Sequence, residues 1–290
     1  MNMEIGFDCA TYTADGMALS YLDSGGDKPV LHLSHANGFP ISMYLPLMHE
    51  LARDFRVLGL NLRGQDGLTE GILSWHRLAF DLIGFLENLN CGPVIGVGHS
   101  IGAVTAMFSA CRRPDLFKRV VLLDPVLLPW KYILLLRLMK VFGIKARSPM
   151  ALRARRRRNG WQSRDEALEY FRGKNLFNGW EETFLRAYVT YGLREEPDGR
   201  IVLVCPPEAE ARGFENYPLD VWSWPMLLRT PTLIVRGERS DALTQKCYEK
   251  FCRLCPSAQG VVLRDTGHFV PLENSKESIR LIKDFCRVSS

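Results

Sequence analysis

The chain is expected to form an α/β fold, with a mostly parallel central sheet flanked by helices and one helical segment inserted into it. Three features lead there. Short runs of β-branched and leucine residues recur and end at Gly, Pro, His or Asp; segments of helical period lie between them; and the alternation stops after Asp124 and Pro125 and resumes near Pro231. Apolar runs of this length suit strands buried on both faces of a parallel sheet. Their alternation with helical segments makes an open α/β sheet the economical arrangement.

In chain order the strand runs are 30–34, 57–62, 94–97, 120–123, 232–235 and 261–263. Residues 74–88 place Trp75, Leu78, Leu82, Phe85 and Leu86 at three- and four-residue steps, with Leu89 just beyond, which is one stripe of an amphipathic helix. After Pro125 no buried-strand run appears until 201–205, and the interval is rich in Arg, Trp and Leu at helical spacing. A second amphipathic helix is expected at 276–286. Residues 1–126 and 228–290 therefore read as one core, and 127–227 as a mainly helical cap inserted within it. That is about 190 residues of core and about 100 of cap, within the usual range for a domain.

Of the 290 residues, 47% are hydrophobic and 24% charged, ordinary globular usage that excludes a disordered or collagen-like chain. The 37 Lys and Arg against 32 Asp and Glu give a net charge of +5, too small an excess to argue for nucleic acid. The tight run at 153–158, Arg-Ala-Arg-Arg-Arg-Arg, reads as a solvated face or a contact with an anionic surface. Eight cysteines show no disulfide-framework spacing, and the Cys252-x-x-Cys255 pair lacks a second pair, so reduced thiols and a cytoplasmic setting are expected. The start carries Glu4 and Asp8 where a signal peptide would need a basic and then an apolar region. The most apolar stretch, 126–144, is interrupted by Lys131, Arg137 and Lys140, which argues against a transmembrane span. His32, His49 and His76 lack metal-ligand spacing, so neither a metal nor a cofactor is expected.

The strongest local signal is Gly98-His99-Ser100-Ile101-Gly102, which follows an apolar strand and opens an Ala-containing helical segment. This is the G-x-S-x-G pattern in the strand-to-helix setting it requires. Small residues at 98 and 102 let a sharp turn present the Ser100 hydroxyl at a helix N-terminus, where the Ile101 amide is free to hydrogen-bond an oxygen that becomes negative. A serine hydroxyl is a weak nucleophile near neutral pH and needs a base, which in turn needs an orienting carboxylate. His268, on a loop after the last strand run, is the candidate base. Asp241, on the loop after 232–235, is the expected acid.

The elbow, the Gly-Glu-Arg-Ser-Asp loop at 237–241, the Gly-His-Phe-Val-Pro loop at 267–271 and the order Ser100, Asp241, His268 together resemble the α/β-hydrolase superfamily, in its large group with a helical cap after the sixth strand. The segment 34–40, Ser-His-Ala-Asn-Gly-Phe-Pro, is similar to that superfamily's oxyanion segment, and Asn61-Leu62-Arg63-Gly64 to a turn in which an aspartate is usual at the first position. The resemblance implies an oxyanion hole of the Ile101 amide with that of Asn37, or alternatively Phe39, and, because some members of the superfamily carry the acid after the sixth strand, it makes Asp124 the alternative to Asp241. It also implies acyl transfer to water, because relatives that dehalogenate or open epoxides carry an aspartate at the elbow. His35 and His99 are candidates for lining or supporting the site.

The apolar start of the cap reads either as a helix packed on the core or as a lid lining an acyl pocket. Trp130 and Phe142 lead the lining candidates, followed by Met139, Trp161, Phe171, Trp180 and Phe184. The expected function is hydrolysis of a carboxylic ester or thioester of a small apolar acyl substrate through an acyl-enzyme. Carbon–carbon bond hydrolysis or cofactor-free perhydrolysis on the same three residues is the alternative, and a non-catalytic binding protein is the reading from another class. Expected partners are the small-molecule acyl substrate alone, with no nucleic acid and no stable membrane insertion, in a monomer or homodimer.

Overall fold

A computed structural model describes residues 6–65, 74–142 and 148–287. Glu4, and Gly143 and Ile144 at the end of the apolar stretch, lie outside the described residues. The chain opens with a hairpin, β1 (Asp8–Ala14) and β2 (Met17–Asp23). Asp15 and Gly16, both at positive φ, form its two-residue turn, as the right-handed twist of paired strands demands. There follow β3 (Val30–Ser34), α1 (Leu45–Ala52), β4 (Arg56–Leu60), α2 (Trp75–Leu89), β5 (Val94–His99), α3 (Ile101–Arg112) and β6 (Phe117–Leu123). The excursion between β6 and the next sheet strand comprises α4 (Trp130–Val141), α5 (Pro149–Arg155), α6 (Arg164–Arg172), α7 (Glu182–Tyr191), the short strands β7 (Leu193–Glu195) and β8 (Ile201–Leu203), and α8 (Pro207–Glu215). The chain then returns through β9 (Thr232–Gly237), α9 (Gln245–Leu254), β10 (Ala258–Leu263), α10 (Val270–Glu273) and α11 (Ser275–Arg287).

The eight-stranded sheet runs β1-β2-β4-β3-β5-β6-β9-β10. β1 and β2 pair antiparallel, as do β2 and β4, and every other pairing is parallel. Alternation along each strand sends side chains to opposite faces. Val121 and Leu123 of β6 join the cluster that contains Leu47 and Leu51 of α1 and Ile282 and Phe285 of α11. Val120 and Leu122 join the one that contains Phe85 of α2, Phe108 of α3 and Phe251 of α9. The six sheet runs expected from sequence are thus present as β3, β4, β5, β6, β9 and β10. The hairpin β1–β2 was not expected, because β1 exposes most of its length and so carries no apolar run.

The turn after β4 is built on buried polar groups. The Asn61 side chain accepts from the Ile41 amide at 2.9 Å and donates to the Ser20 hydroxyl at 2.9 Å. Arg63 makes a two-pronged ion pair with Asp81 at 2.5 and 2.7 Å. Among the described residues no helix is long and apolar enough to cross a membrane.

His32, His35 and His99 are buried within this framework. Burial pulls His32 down to about 3 and His35 down to about 4. Burial, with the neighbouring His268, also holds His99 well below the ordinary range. All three stay neutral in the fold at pH values where an unfolded chain's histidines take up protons, so the unfolded state binds more protons below about pH 6.5. Stability is therefore full above that pH and falls as the pH drops toward about 4. Thermal unfolding at about pH 4.5 should occur at least about 5 °C below that at pH 7. A melting temperature flat across this window would contradict the buried neutral state.

Candidate active site

The elbow between β5 and α3 depends on close approach. A Cβ at Gly98 would lie 2.3 Å from the Gly102 carbonyl oxygen, and one at Gly102 would lie 2.3 Å from the Ser34 carbonyl oxygen, so neither position admits a side chain. Ser100 between them sits at φ 59° and ψ −119°, a conformation that side chains rarely adopt and that marks stored strain. It presents the Ser100 hydroxyl 3.0 Å from Nε2 of His268.

The carboxylate that meets His268 on its other side is Asp124, with Oδ2 2.7 Å from Nδ1. This corrects the sequence expectation of Asp241. Asp124 is fully buried directly after β6, itself at positive φ. Its Oδ1 accepts from the Gly237 amide at 2.9 Å, and its Oδ2 accepts from the Ser240 hydroxyl at 2.5 Å. The loop after β9, from which the acid was expected, thus supplies the donors that saturate the acid. Ser240 turns inward while Asp241 stays exposed at the cavity edge, without a hydrogen bond to His268. With Asp124 accepting at Nδ1, the proton sits there, and Nε2 is left to accept from Ser100. Glu273, which also lines the cavity, fixes the His268 loop by accepting from the Gly267 amide at 2.6 Å and the Phe269 amide at 3.1 Å.

In the loop after β3 the amides of Ala36, Gly38 and Phe39 are engaged. Ala36 donates to the Tyr44 hydroxyl at 3.2 Å, Gly38 to Oε1 of Gln65 at 2.6 Å, and Phe39 to the Ala36 carbonyl at 3.4 Å. Among the described residues the Asn37 amide has no acceptor, and neither has Ile101 at the first turn of α3. Ala36, Asn37, Ser100, Ile101 and His268 all line one cavity. Phe39, the alternative donor, lines it too, but its amide is spent within the turn.

His99, the variable elbow residue, has a structural task. Its Nδ1 lies 2.7 Å from the Tyr44 hydroxyl and its Nε2 lies 3.1 Å from the His268 carbonyl. Because the His268 carbonyl can only accept, Nε2–H of the neutral His99 donates to it, and Nδ1 accepts the Tyr44 proton. One buried chain thereby ties the loop after β3, the elbow and the base loop together. His99 and His35 are both fully buried, and neither lines the cavity. Nδ1 of His35 donates to the Ala36 carbonyl at 2.8 Å, and its Nε2 accepts from the Leu62 amide at 2.9 Å.

The cap is clamped to this loop. The Asn37 side chain donates to the Glu210 carbonyl at 2.8 Å, and Gln65 donates to Asn37 at 3.2 Å. Glu210 pairs with Arg157, which also donates to the Tyr188 hydroxyl at 2.6 Å. Burial alone would lower the pKa of Arg157, but Glu210 and Tyr188 outweigh it and hold the guanidinium above its ordinary value. Burial pushes Tyr188 up to about 12.

The cavity measures about 2110 Å³ and runs from Ser100 beneath the cap. Its cap wall includes Tyr132, Leu136, Met150, Phe171, Phe177 and Phe214. Of the lining candidates read from sequence, Phe171 alone is there. Trp130 and Phe142 are exposed and Met139 half-buried, all outside the wall; Trp161, Trp180 and Phe184 are buried in the packing of the cap. Sequence reading missed Tyr44, Gln65, Ser240 and Glu210, whose partners lie far away in the chain; Ser240 alone stood in a motif already singled out.

A family model described as the alpha/beta hydrolase family matches residues 30–280. A 2-(acetamidomethylene)succinate hydrolase of Mesorhizobium japonicum is 26% identical over 265 residues, 90% of this chain and 88% of its own length. A putative esterase/lipase of Haemophilus influenzae is 24% identical over 263 residues, 89% of this chain and 83% of its own. Among solved structures, E-2-(acetamidomethylene)succinate hydrolase has a TM-score of 0.79 at 22% identity, covering 97% of this chain and 99% of that one. The thioesterase domain from the curacin biosynthetic pathway has a TM-score of 0.73 at 17% identity, covering 96% and 99%. With the family match spanning most of the chain, this protein belongs to the alpha/beta hydrolase family and is a hydrolase.

Proposed function

We propose that the protein is a serine hydrolase that cleaves a carboxylic ester or thioester through an acyl-enzyme intermediate. The observation that carries this reading is the hydrogen-bonded line from Ser100 through His268 to Asp124. His268 takes the Ser100 proton as the oxygen attacks the carbonyl, and Asp124 stabilises the imidazolium that forms. The developing oxyanion is received by the amides of Ile101 and Asn37, two cavity-lining residues, which have no acceptor among the described residues. His268 then gives the proton to the departing alcohol or thiol, and the same base activates the water that releases the acyl group.

The apolar cap wall supports an apolar acyl group, and a cavity well above the usual few hundred to about 1000 Å³ leaves room for a long one. A second reading rests on charge. Arg153, Lys174 and Arg239 line the same cavity without a carboxylate partner among the described residues. A substrate bearing carboxylates would meet them, and the Mesorhizobium relative is named for action on a succinate derivative.

Ser100→Ala should abolish both labelling by a fluorophosphonate and hydrolysis of p-nitrophenyl esters; unchanged labelling would refute the nucleophile. Asp124→Asn should lower kcat about 10³- to 10⁴-fold by disturbing the His268 tautomer, while Asp241→Asn stays within about twofold of the parent. The reverse ranking would return the acid to Asp241. Tyr44→Phe should cut kcat about tenfold with KM little changed, because it loosens the tie between the oxyanion loop and the base; an unaltered kcat would reduce that tie to packing. In an ester series octanoyl should outpace acetyl, and a clear preference for hemisuccinyl over neutral esters of equal length would favour the second reading.

A further inference from the structure

We propose that the outer face of α4 docks the cap on an anionic phospholipid surface. Leu134, Leu135 and Leu138 of α4 are exposed by 45%, 51% and 48%, and Phe142, one residue past its end, by 74%. At 100° per residue these four side chains fall on one side of the helix, opposite the fully buried Ile133. Monomeric proteins rarely present so contiguous an apolar face to water without a use for it.

Charge identifies the occupant. Residues 125–164 contain 11 Lys and Arg and not one Asp or Glu, whereas the rest of the chain holds 26 Lys and Arg against 32 Asp and Glu. The basic excess of the whole protein is therefore concentrated in the stretch of sequence that contains this helix. Part of it is internally neutralised: Arg155 pairs with Glu208 and Glu215, Arg157 with Glu210, and Arg158 with Glu166. Lys131, which lies on the outer face of α4, and Arg156 are exposed and have no carboxylate partner among the described residues. A second copy facing this surface would bring two cationic patches together, which opposes self-association. An anionic bilayer instead offers headgroup phosphates to the cations and acyl chains to the leucines, the pattern of an in-plane interfacial helix. The 12 residues of α4 are too short to span a bilayer and suit lying in its plane.

The same helix forms cavity wall with Tyr132, Leu136 and Arg137. Docking would therefore set the cavity beside the acyl region of the bilayer. The binding step does not depend on the hydrolytic reading, so each stands or falls alone.

The test is co-sedimentation of the full chain with vesicles of phosphatidylcholine alone and of phosphatidylcholine mixed with phosphatidylglycerol, at low and at physiological salt. The protein should bind the mixed vesicles, leave pure phosphatidylcholine in the supernatant, and release as salt rises. Leu134→Glu with Leu138→Glu, and separately Lys131→Glu with Arg156→Glu, should each weaken binding on the order of tenfold or more. Circular dichroism and melting temperature should match the parent, and any hydrolysis of a soluble acetyl ester should persist, which separates docking from folding and catalysis. No binding of the parent to mixed vesicles would overturn the proposal, as would equal binding to both vesicle types or undiminished binding by both variants. A concentration-dependent dimer abolished by Leu134→Glu with Leu138→Glu would overturn it in favour of a second copy.

Discussion

The hydrogen bond between Asp124 and His268 is the contact on which the rest of the site depends. A fully buried carboxylate must have its oxygens saturated, or the cost of removing it from water would favour its protonated form or an open site. The fold meets that demand with three donors from two loops: the Gly237 amide, the Ser240 hydroxyl and the imidazole. The parallel pairing of β6 with β9 and of β9 with β10 brings Asp124 and those loops to the same edge, since Leu123 is level with Val235 and Gly237 with Leu263. The left-handed backbone at Asp124 turns the chain off the sheet at the point where the carboxylate is needed.

Around this contact the loops are joined crosswise. Tyr44 and His99 link the backbone of the loop after β3 to the backbone at His268. Gln65 and Asn37 extend the linkage to α8 of the cap through the Glu210 carbonyl. Position is thereby imposed on Ser100 and His268 by neighbours of which Tyr44, His99 and Gln65 do not line the cavity, and a buried, neutral His99 is the joint. Protonating it would break the acceptor role of Nδ1, so the burial that depresses its pKa also preserves the linkage.

The parts of this arrangement legible in the sequence are those written in local chemistry. The elbow could be read because two glycines flank a serine between a strand run and a helix, and the structure supplies the collisions that explain both glycines. The parallel strands could be read because burial on two faces leaves an uninterrupted apolar run. The acid was misplaced because Asp124 and Asp241 both follow strands whose ends are neighbours in the sheet, and no local pattern tells which carboxylate turns inward. Trp130 and Phe142 were assigned to the cavity from hydrophobicity alone, which cannot distinguish the inner face of a cap helix from its outer one. The clamp between Asn37 and Glu210, 173 residues apart in the chain, leaves no local trace.

The separation of the reacting groups along the chain also bears on how the enzyme comes into being. His268 lies 168 residues from Ser100 and 144 from Asp124, with the whole cap between Asp124 and β9. The elbow forms from adjacent segments, but the base arrives only when the chain has closed a loop of that length, and such closures come with an entropy cost that local contacts do not bear. A nascent chain released before β10 would hold a strained serine with no imidazole beside it. The hydrogen-bonded line from Ser100 through His268 to Asp124 thus waits on completion of the sheet.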